Sequence, residues 1–157
     1  MSSKEKREME KIDWYGILAN RSVPSAKAVE DFNRLRRERP EEKVDLAGKD
    51  LRFGSLEMIN FKDADLSRSQ LDGADLSGAN LDGANLTAAS LNGAKFLNTS
   101  LQEANFTNVI LDQANFNGAD LLNAKKVPFE VRLKVVEEAL EERRDLNDIL
   151  RLIQSWK

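Results

Sequence analysis

The 157-residue chain contains neither cysteine nor histidine. Without cysteine it can form no disulfide, no thiolate nucleophile and no cysteine-based metal site. Without histidine it lacks the commonest metal ligand and the commonest general base. We therefore expect no enzymatic activity, no metal site and no cofactor.

Long hydrophobic runs are also missing. No stretch approaches the roughly 18 apolar residues of a membrane-spanning helix, and the charged start from Met1 to Lys6 lacks the apolar core of a signal peptide. These absences predict a cytoplasmic protein without a membrane partner. Because hydrophobic residues make up 41% of the chain and charged residues 32%, we expect a folded domain.

A period of five residues dominates the middle of the sequence. From residue 46 onward, every fifth residue is Leu or Phe over sixteen consecutive repeats. We call these residues the centres: Leu46, Leu51, Leu56, Phe61, Leu66, Leu71, Leu76, Leu81, Leu86, Leu91, Phe96, Leu101, Phe106, Leu111, Phe116 and Leu121. The residue two before each centre is mostly Ala, the residue between them is usually Asp or Asn, and Gly often closes the unit. The consensus is Ala-(Asp/Asn)-Leu-x-Gly.

This period fits neither regular element. Along a helix, steps of five residues rotate by about 500°, so the centres would spread over all faces, and a strand alternates every two residues. A chain that bends after each short extended unit does fit, with the centre and the small residue pointing inward. Gly tolerates the positive φ of tight corners, and Asp and Asn side chains bond to nearby backbone.

The run from Ala74 to Leu86 (ADLSGANLDGANL) resembles the pentapeptide-repeat family. The resemblance implies a β solenoid: a right-handed quadrilateral β-helix with four repeats, or twenty residues, in each turn. Sixteen repeats would form about four coils, stacked into a rod about 20 Å tall at the usual strand spacing.

Both ends of the rod need caps, because open strand edges invite pairing with other chains. The predicted organisation is an N-terminal helical cap (1–43), a pentapeptide-repeat β-helix (44–125) and a C-terminal helical cap (126–157). Helices are expected from Lys4 to Ala19 and from Ser25 to Arg39, the second with Val29, Phe32 and Leu35 as its apolar stripe. We expect the caps to cover the outward apolar residues Phe53, Met58, Leu97, Ile110 and Leu122.

Two short helices are predicted after the repeats, with Asp145 as the N-cap of the second. The stripe Phe129, Leu133, Val136 and Leu140 is expected to dock on the final coil. A second stripe then has no obvious place on the rod and is the candidate interaction surface: Leu146, Ile149, Leu150, Ile153 and Trp156. Symmetric pairing of two such helices would give a homodimer. The alternative is that this helix folds back along the rod and covers Leu97 and Leu122.

Two functions are considered. The first is a non-enzymatic scaffold or protein-interaction module. The second follows from the resemblance, since some pentapeptide-repeat proteins mimic duplex DNA and inhibit or modulate type II topoisomerases. Residues 44–125 carry 11 acidic and 6 basic residues, a net charge of −5. A stretch of B-DNA about 20 Å long carries about twelve negatively charged phosphates, so the rod has much less net negative charge. The basic cluster Arg34, Arg36, Arg37 and Arg39 is interleaved with acids and is interpreted as a solvated helix face. We therefore favour a protein partner and expect no nucleic-acid binding.

Overall fold

A computed structural model describes residues 11–19 and 24–156. In this part of the chain, four helices flank a coiled region. Helices α1 (Trp14–Leu18) and α2 (Ala26–Glu38) precede the coils, and helices α3 (Phe129–Glu141) and α4 (Leu146–Ser155) follow them. The predicted helix from Ser25 to Arg39 is confirmed by α2. Residues 4–10 of the earlier predicted helix lie outside the described residues. Within the described part, a helix spans Trp14–Leu18, capped by Asp13, which accepts a hydrogen bond from the Gly16 N–H.

The coils are joined by single parallel β-bridges between residues twenty apart. The series begins with Asp45 and Asp65 and ends with Asn105 and Lys125. At each bridge, backbone hydrogen bonds run in both directions: Leu86 N–H donates to the Asn105 carbonyl at 3.0 Å, and Asn105 N–H donates to the Ala84 carbonyl at 2.9 Å. Each turn therefore contains four five-residue repeats, as the sequence predicts.

Every repeat turns a corner through one residue with positive φ. This residue lies two positions after the centre, and all sixteen of them, from Gly48 to Asn123, have φ between 53° and 68°. The next N–H closes the turn on the centre's carbonyl, as Ala89 N–H does with Leu86 at 2.9 Å. A positive φ at the third residue is the geometry of a type II turn, which favours Gly. Only six of the sixteen are Gly.

Asp and Asn residues before the centres brace these corners. The Asn85 side-chain oxygen accepts the Thr87 N–H at 3.2 Å, and the Asp65 carboxylate accepts the Ser67 N–H at 2.9 Å. The same contact recurs along the rod, so the predicted role of Asp and Asn in the turns is confirmed.

The core is a narrow column of centres and small residues. All sixteen centres are buried, with at most 9% of any side chain exposed. Aromatic centres in adjacent coils stack, with the Phe96 and Phe116 rings 4.7 Å apart. Where the small slot carries a hydroxyl, it bonds to backbone: Ser69 donates to the Leu66 carbonyl and Thr99 to the Leu76 carbonyl.

The N-terminal helices close the top of this column. The Phe32 ring lies between the rings of Trp14 and Phe61, at centroid distances of 4.9 and 5.4 Å. The Asn33 side chain takes the place of a missing coil: its oxygen accepts the Asn60 N–H at 2.8 Å, the contact that a backbone carbonyl makes in later coils. Its amide donates to the Met58 carbonyl at 2.9 Å. The first coil is therefore paired partly by side-chain groups and partly by backbone, since the Ser55 N–H donates to the Pro24 carbonyl at 3.0 Å.

The coils end where the sequence breaks the pattern. A seventeenth centre would fall at residue 126, but the chain has Lys there, with a φ of 56°. Because a charged side chain is strongly disfavoured in an apolar column, the backbone leaves the coil at this point. Val127 and Pro128 then lead into α3.

The positive-φ corners generate a prediction about Gly73 and Gly93. A Cβ added at Gly93 meets nothing within 4 Å, whereas one added at Gly73 comes within 2.6 Å of the Phe53 ring from the coil above. Gly93→Ala should lower the free energy of unfolding by about 1 kcal/mol through backbone strain alone. Gly73→Ala should cost measurably more, because Phe53 must also move. Urea denaturation of the purified variants measures both.

The control is Gly73→Ala in a Phe53→Ala background. There the substitution should cost about as much as Gly93→Ala, since only the strain remains. Equal costs for Gly73→Ala with and without the phenyl ring would show that Phe53 does not pack on this corner.

Candidate interaction surface

Helix α3 docks on the final coil through its smaller apolar residues. Val131, Val135 and Ala139 are buried, whereas Phe129 and Leu133 of the predicted stripe are 69% and 46% exposed. The prediction that Phe129, Leu133, Val136 and Leu140 dock on the coil is therefore wrong: Leu140 is 51% exposed and Val136 is only half-buried.

A contact at the edge of the final coil explains why α3 docks through its smaller residues and not through the predicted stripe. The Glu138 carboxylate accepts the Gly118 N–H of the final coil at 3.1 Å. Glu138 adjoins the Val131, Val135 and Ala139 face on the helix, so this bond and the burial of the small face occur together. Small side chains also let the helix backbone approach the coil closely. Large residues at Phe129 and Leu133 are left on the opposite side.

Asp145 caps helix α4, as predicted: its side chain accepts the Asn147 N–H at 2.8 Å. Its other end bonds to the last corner of the rod. The Trp156 indole N–H donates to the Leu121 carbonyl at 2.9 Å, and the Ser155 hydroxyl oxygen accepts the Asn123 N–H at 3.0 Å. These contacts fix α4 against the rod beside Leu122.

The five residues of the predicted interaction surface are divided between two environments. Ile149 is buried and Trp156 is half-buried against the core. Leu146, Leu150 and Ile153 are 66%, 52% and 44% exposed. One flank of the helix thus holds it to the rod, and the other flank remains open to solvent.

Helices α3 and α4 pack against one another and both leave large apolar residues outside. We call this set the C-terminal apolar residues: Phe129, Leu133 and Leu140 of α3, and Leu146, Leu150 and Ile153 of α4. Surface apolar residues are ordinary when scattered, but six on two adjacent short helices form a concentration that usually has a binding role.

The predicted covering of outward apolar residues on the coils is also partly wrong. Phe53 and Met58 are each 70% exposed, and Ile110 is 59% exposed. The terminal segments bond to the backbone edges of the first and last coils and do not extend down the sides of the rod. Leu97 and Leu122 are half-buried.

Acidic residues of the rod are engaged in joining its coils. Asp72 accepts hydrogen bonds from the Ser90 hydroxyl at 2.6 Å and from the Asn92 N–H at 2.9 Å, both in the next coil. Asp82 makes the equivalent pair of contacts. These carboxylates are part of the internal hydrogen bonding of the rod.

Two further acids are paired with bases. The Arg52 guanidinium hydrogen bonds to Asp50 at 2.7 Å and holds the pKa of that carboxyl below its usual value. Burial raises the pKa of the Asp75 carboxyl, but hydrogen bonds from Ser77 and Lys95 outweigh this effect and hold the pKa below its usual value. The Lys95 ammonium lies 3.0 Å from Asp75 and joins adjacent coils.

Three of the four arginines in the basic cluster are likewise engaged in contacts within the chain. Arg34 pairs with Asp31 at 3.2 Å, Arg36 donates to the backbone carbonyls of Glu42 and Lys62, and Arg39 pairs with Glu42. Among the described residues there is no cluster of three or more potential metal ligands. None of the described helices has the length and hydropathy needed to cross a membrane.

Sequence profiles described as pentapeptide repeats match residues 45–83 and 59–98, and a second profile of the same description matches residues 81–125. Together they cover residues 45–125, the whole coiled region. No curated protein matches the chain.

Several solved structures are similar to the chain. A pentapeptide repeat protein from the thylakoid lumen of Arabidopsis thaliana is 27% identical, over 59% of this chain and 68% of its own, with a TM-score of 0.43. One from the cyanobacterium Cyanothece is 28% identical, over 49% of this chain and 59% of its own, with a TM-score of 0.39. A third, from Nostoc, is 30% identical, over 59% of this chain and 76% of its own, with a TM-score of 0.35.

The docking of α3 leads to a prediction about two neighbouring positions. Val135→Asp should lower the free energy of unfolding by more than about 3 kcal/mol, because it buries an unpaired charge against the last coil. Leu133→Asp should cost less than about 1 kcal/mol, because that side chain is exposed. Denaturation at low protein concentration compares the two. The reverse order would restore the docking face predicted from the sequence.

Proposed function

Since this chain belongs to the pentapeptide-repeat family, we propose that it is a non-enzymatic interaction protein built on a right-handed quadrilateral β-helix. In this proposal, residues 44–125 form the rod, residues 1–43 and 126–157 act as helical caps, and the C-terminal cap carries the binding surface. The absence of histidine and cysteine from the sequence supports a role without catalysis. The cytoplasmic location stays a prediction.

The observation that carries the proposal is the exposure of the C-terminal apolar residues. Leu146 and Phe129 are each about two-thirds exposed, at 66% and 69%. Helix α4 is already held to the rod by Trp156, Ser155 and the buried Ile149, so its open flank is not required for docking. Exposing large apolar side chains to water is unfavourable, and covering them with a partner would recover that free energy.

We propose a second copy of the chain as the first partner. Residues 126–157 carry seven basic and seven acidic residues, so self-pairing of this end is not opposed by net charge. The rod, in contrast, is acidic along its length. A two-fold arrangement would place α4 of one copy on the same surface of the other, which is the simplest closed symmetry.

The oligomeric state tests this pairing. Light scattering should show a concentration-dependent dimer at micromolar concentrations, and Leu150→Glu should weaken it by at least about tenfold, because a charge would enter an apolar interface. Gln154→Glu is the matched control on an exposed polar position of the same helix and should leave the dimer unchanged. A full-length chain that stays monomeric at high micromolar concentration would rule out self-pairing.

DNA mimicry is the less supported function. A mimic needs acidic groups arrayed outward, whereas Asp72 and Asp82 join adjacent coils and Asp50 and Asp75 are paired with bases. We predict that the purified protein does not inhibit DNA supercoiling by gyrase at micromolar concentration. Inhibition at that level, relieved by added salt, would mean that the remaining carboxylates suffice for mimicry.

A further inference from the structure

Three basic side chains line a single cleft where the chain leaves the last coil. Lys125 and Lys126 come from the end of the rod, and Arg132 comes from the first turns of α3. The cleft has a volume of about 570 Å³. Thr107, Val127 and Trp156 form part of its wall. None of the described residues that line it is acidic.

These three cations are unpaired in the part of the chain that the structure describes. None of them forms an ion pair, whereas Arg52, Lys95 and Arg144 each lie within 3.0 Å of a carboxylate. Like charges that converge on one cleft repel each other, and an anion bound between them would relieve that repulsion. Other described cations are also unpaired, for example Arg37 and Lys62, but they do not line this cleft.

Arg132 provides an independent indication of a ligand. Its Nε is buried without a hydrogen-bond partner, which is rare in folded proteins. The other such atom among the described residues is Nε of Arg36, but that guanidinium already donates to two backbone carbonyls. The Arg132 guanidinium instead lies 6.0 Å from the Phe129 ring centroid. Because the Nε is buried, the terminal Nη groups of Arg132 are the donors that can reach a ligand in the cleft.

The remaining polar groups of the wall are already engaged. The Thr107 hydroxyl donates to the Asn105 side-chain oxygen, and the Asn105 amide donates to Thr87. Recognition therefore depends on one guanidinium and two ammonium groups, which together favour a doubly charged oxyanion. The cleft also adjoins the start of α3, whose backbone carries partial positive charge. Trp156 offers an apolar wall for the rest of a ligand.

We infer that this cleft binds the phosphate group of a small phosphorylated molecule, held by Lys125, Lys126 and Arg132. The three cations are not among the C-terminal apolar residues, although Arg132 lies beside Phe129 of that set. Inorganic phosphate is sufficient as a probe, because the three cations contact the phosphate group itself. The same cations would attract a carboxylate, so the experiment compares phosphate with acetate.

Phosphate binding at this site can be followed by NMR, because the two tryptophan indole N–H signals report on different ends of the rod. The indole N–H signal of Trp156 reports on the cleft, and that of Trp14, buried at the other end of the rod, is the internal reference. Phosphate at millimolar concentration should shift the Trp156 signal to saturation and leave the Trp14 signal in place. Sodium chloride and sodium acetate at matched ionic strength should produce no saturable shift.

Variants locate the binding. Arg132→Gln should weaken phosphate binding by at least about tenfold, which is a typical loss for one charge-assisted contact. Lys134→Gln is the matched control, because Lys134 is an exposed residue of the same helix that does not line this cleft. It should bind phosphate like the unmodified chain. Thermal melts without phosphate establish that both variants remain folded.

Three outcomes would overturn the inference. The first is equal phosphate affinity in Arg132→Gln and the unmodified chain. The second is a shift of both indole signals that rises linearly without saturation. The third is an equal saturable shift with acetate, which would assign the cleft to a carboxylate ligand.

Discussion

The rod depends on one backbone constraint, a positive φ at every fifth residue. Each such corner redirects the chain so that, after four of them, it lies beneath its starting point with its hydrogen-bonding groups in register. The pairing of residues twenty apart, the inward centres and the outward polar residues all follow from that geometry. Ten of the sixteen corners use a residue other than Gly, at a strain of roughly 1–2 kcal/mol each. The backbone bonds and the buried centres must outweigh this strain.

At the two ends, side chains substitute for backbone that is missing. Asn33 supplies an acceptor and a donor to the first coil, and Glu138 and Ser155 supply acceptors to the last. Every one of these residues lies on a helix or at its end, so the helices serve chiefly as carriers of polar groups that complete the edges. Because the helices bond to the edges of the rod and not to its sides, apolar residues on the sides, such as Phe53 and Met58, remain exposed.

The sequence predicted the coils well, because a period of five leaves few arrangements that bury every centre. It also located α2 and the start of α4, where Ser25 and Asp145 act as caps. The prediction of the docking face of α3 was wrong because this helix has apolar residues on two opposite sides. The side with the larger residues was chosen, whereas the side with the smaller residues docks. The observed face lies beside Glu138, which accepts the Gly118 N–H, and the position of Gly118 is a matter of tertiary geometry that the sequence does not reveal. The cleft lined by Lys125, Lys126 and Arg132 was also missed, because nothing in the spacing of these residues indicates that they lie together.

The register of twenty residues has a consequence for how such a chain can change in length. Inserting twenty residues would add one full coil and leave α2 and α3 facing the same directions as before. Inserting a single repeat of five would instead turn everything after it by a quarter of a revolution about the rod. The number of repeats therefore sets the angle between the two ends, and changes of one repeat would reorient a surface at one end without altering any residue within it.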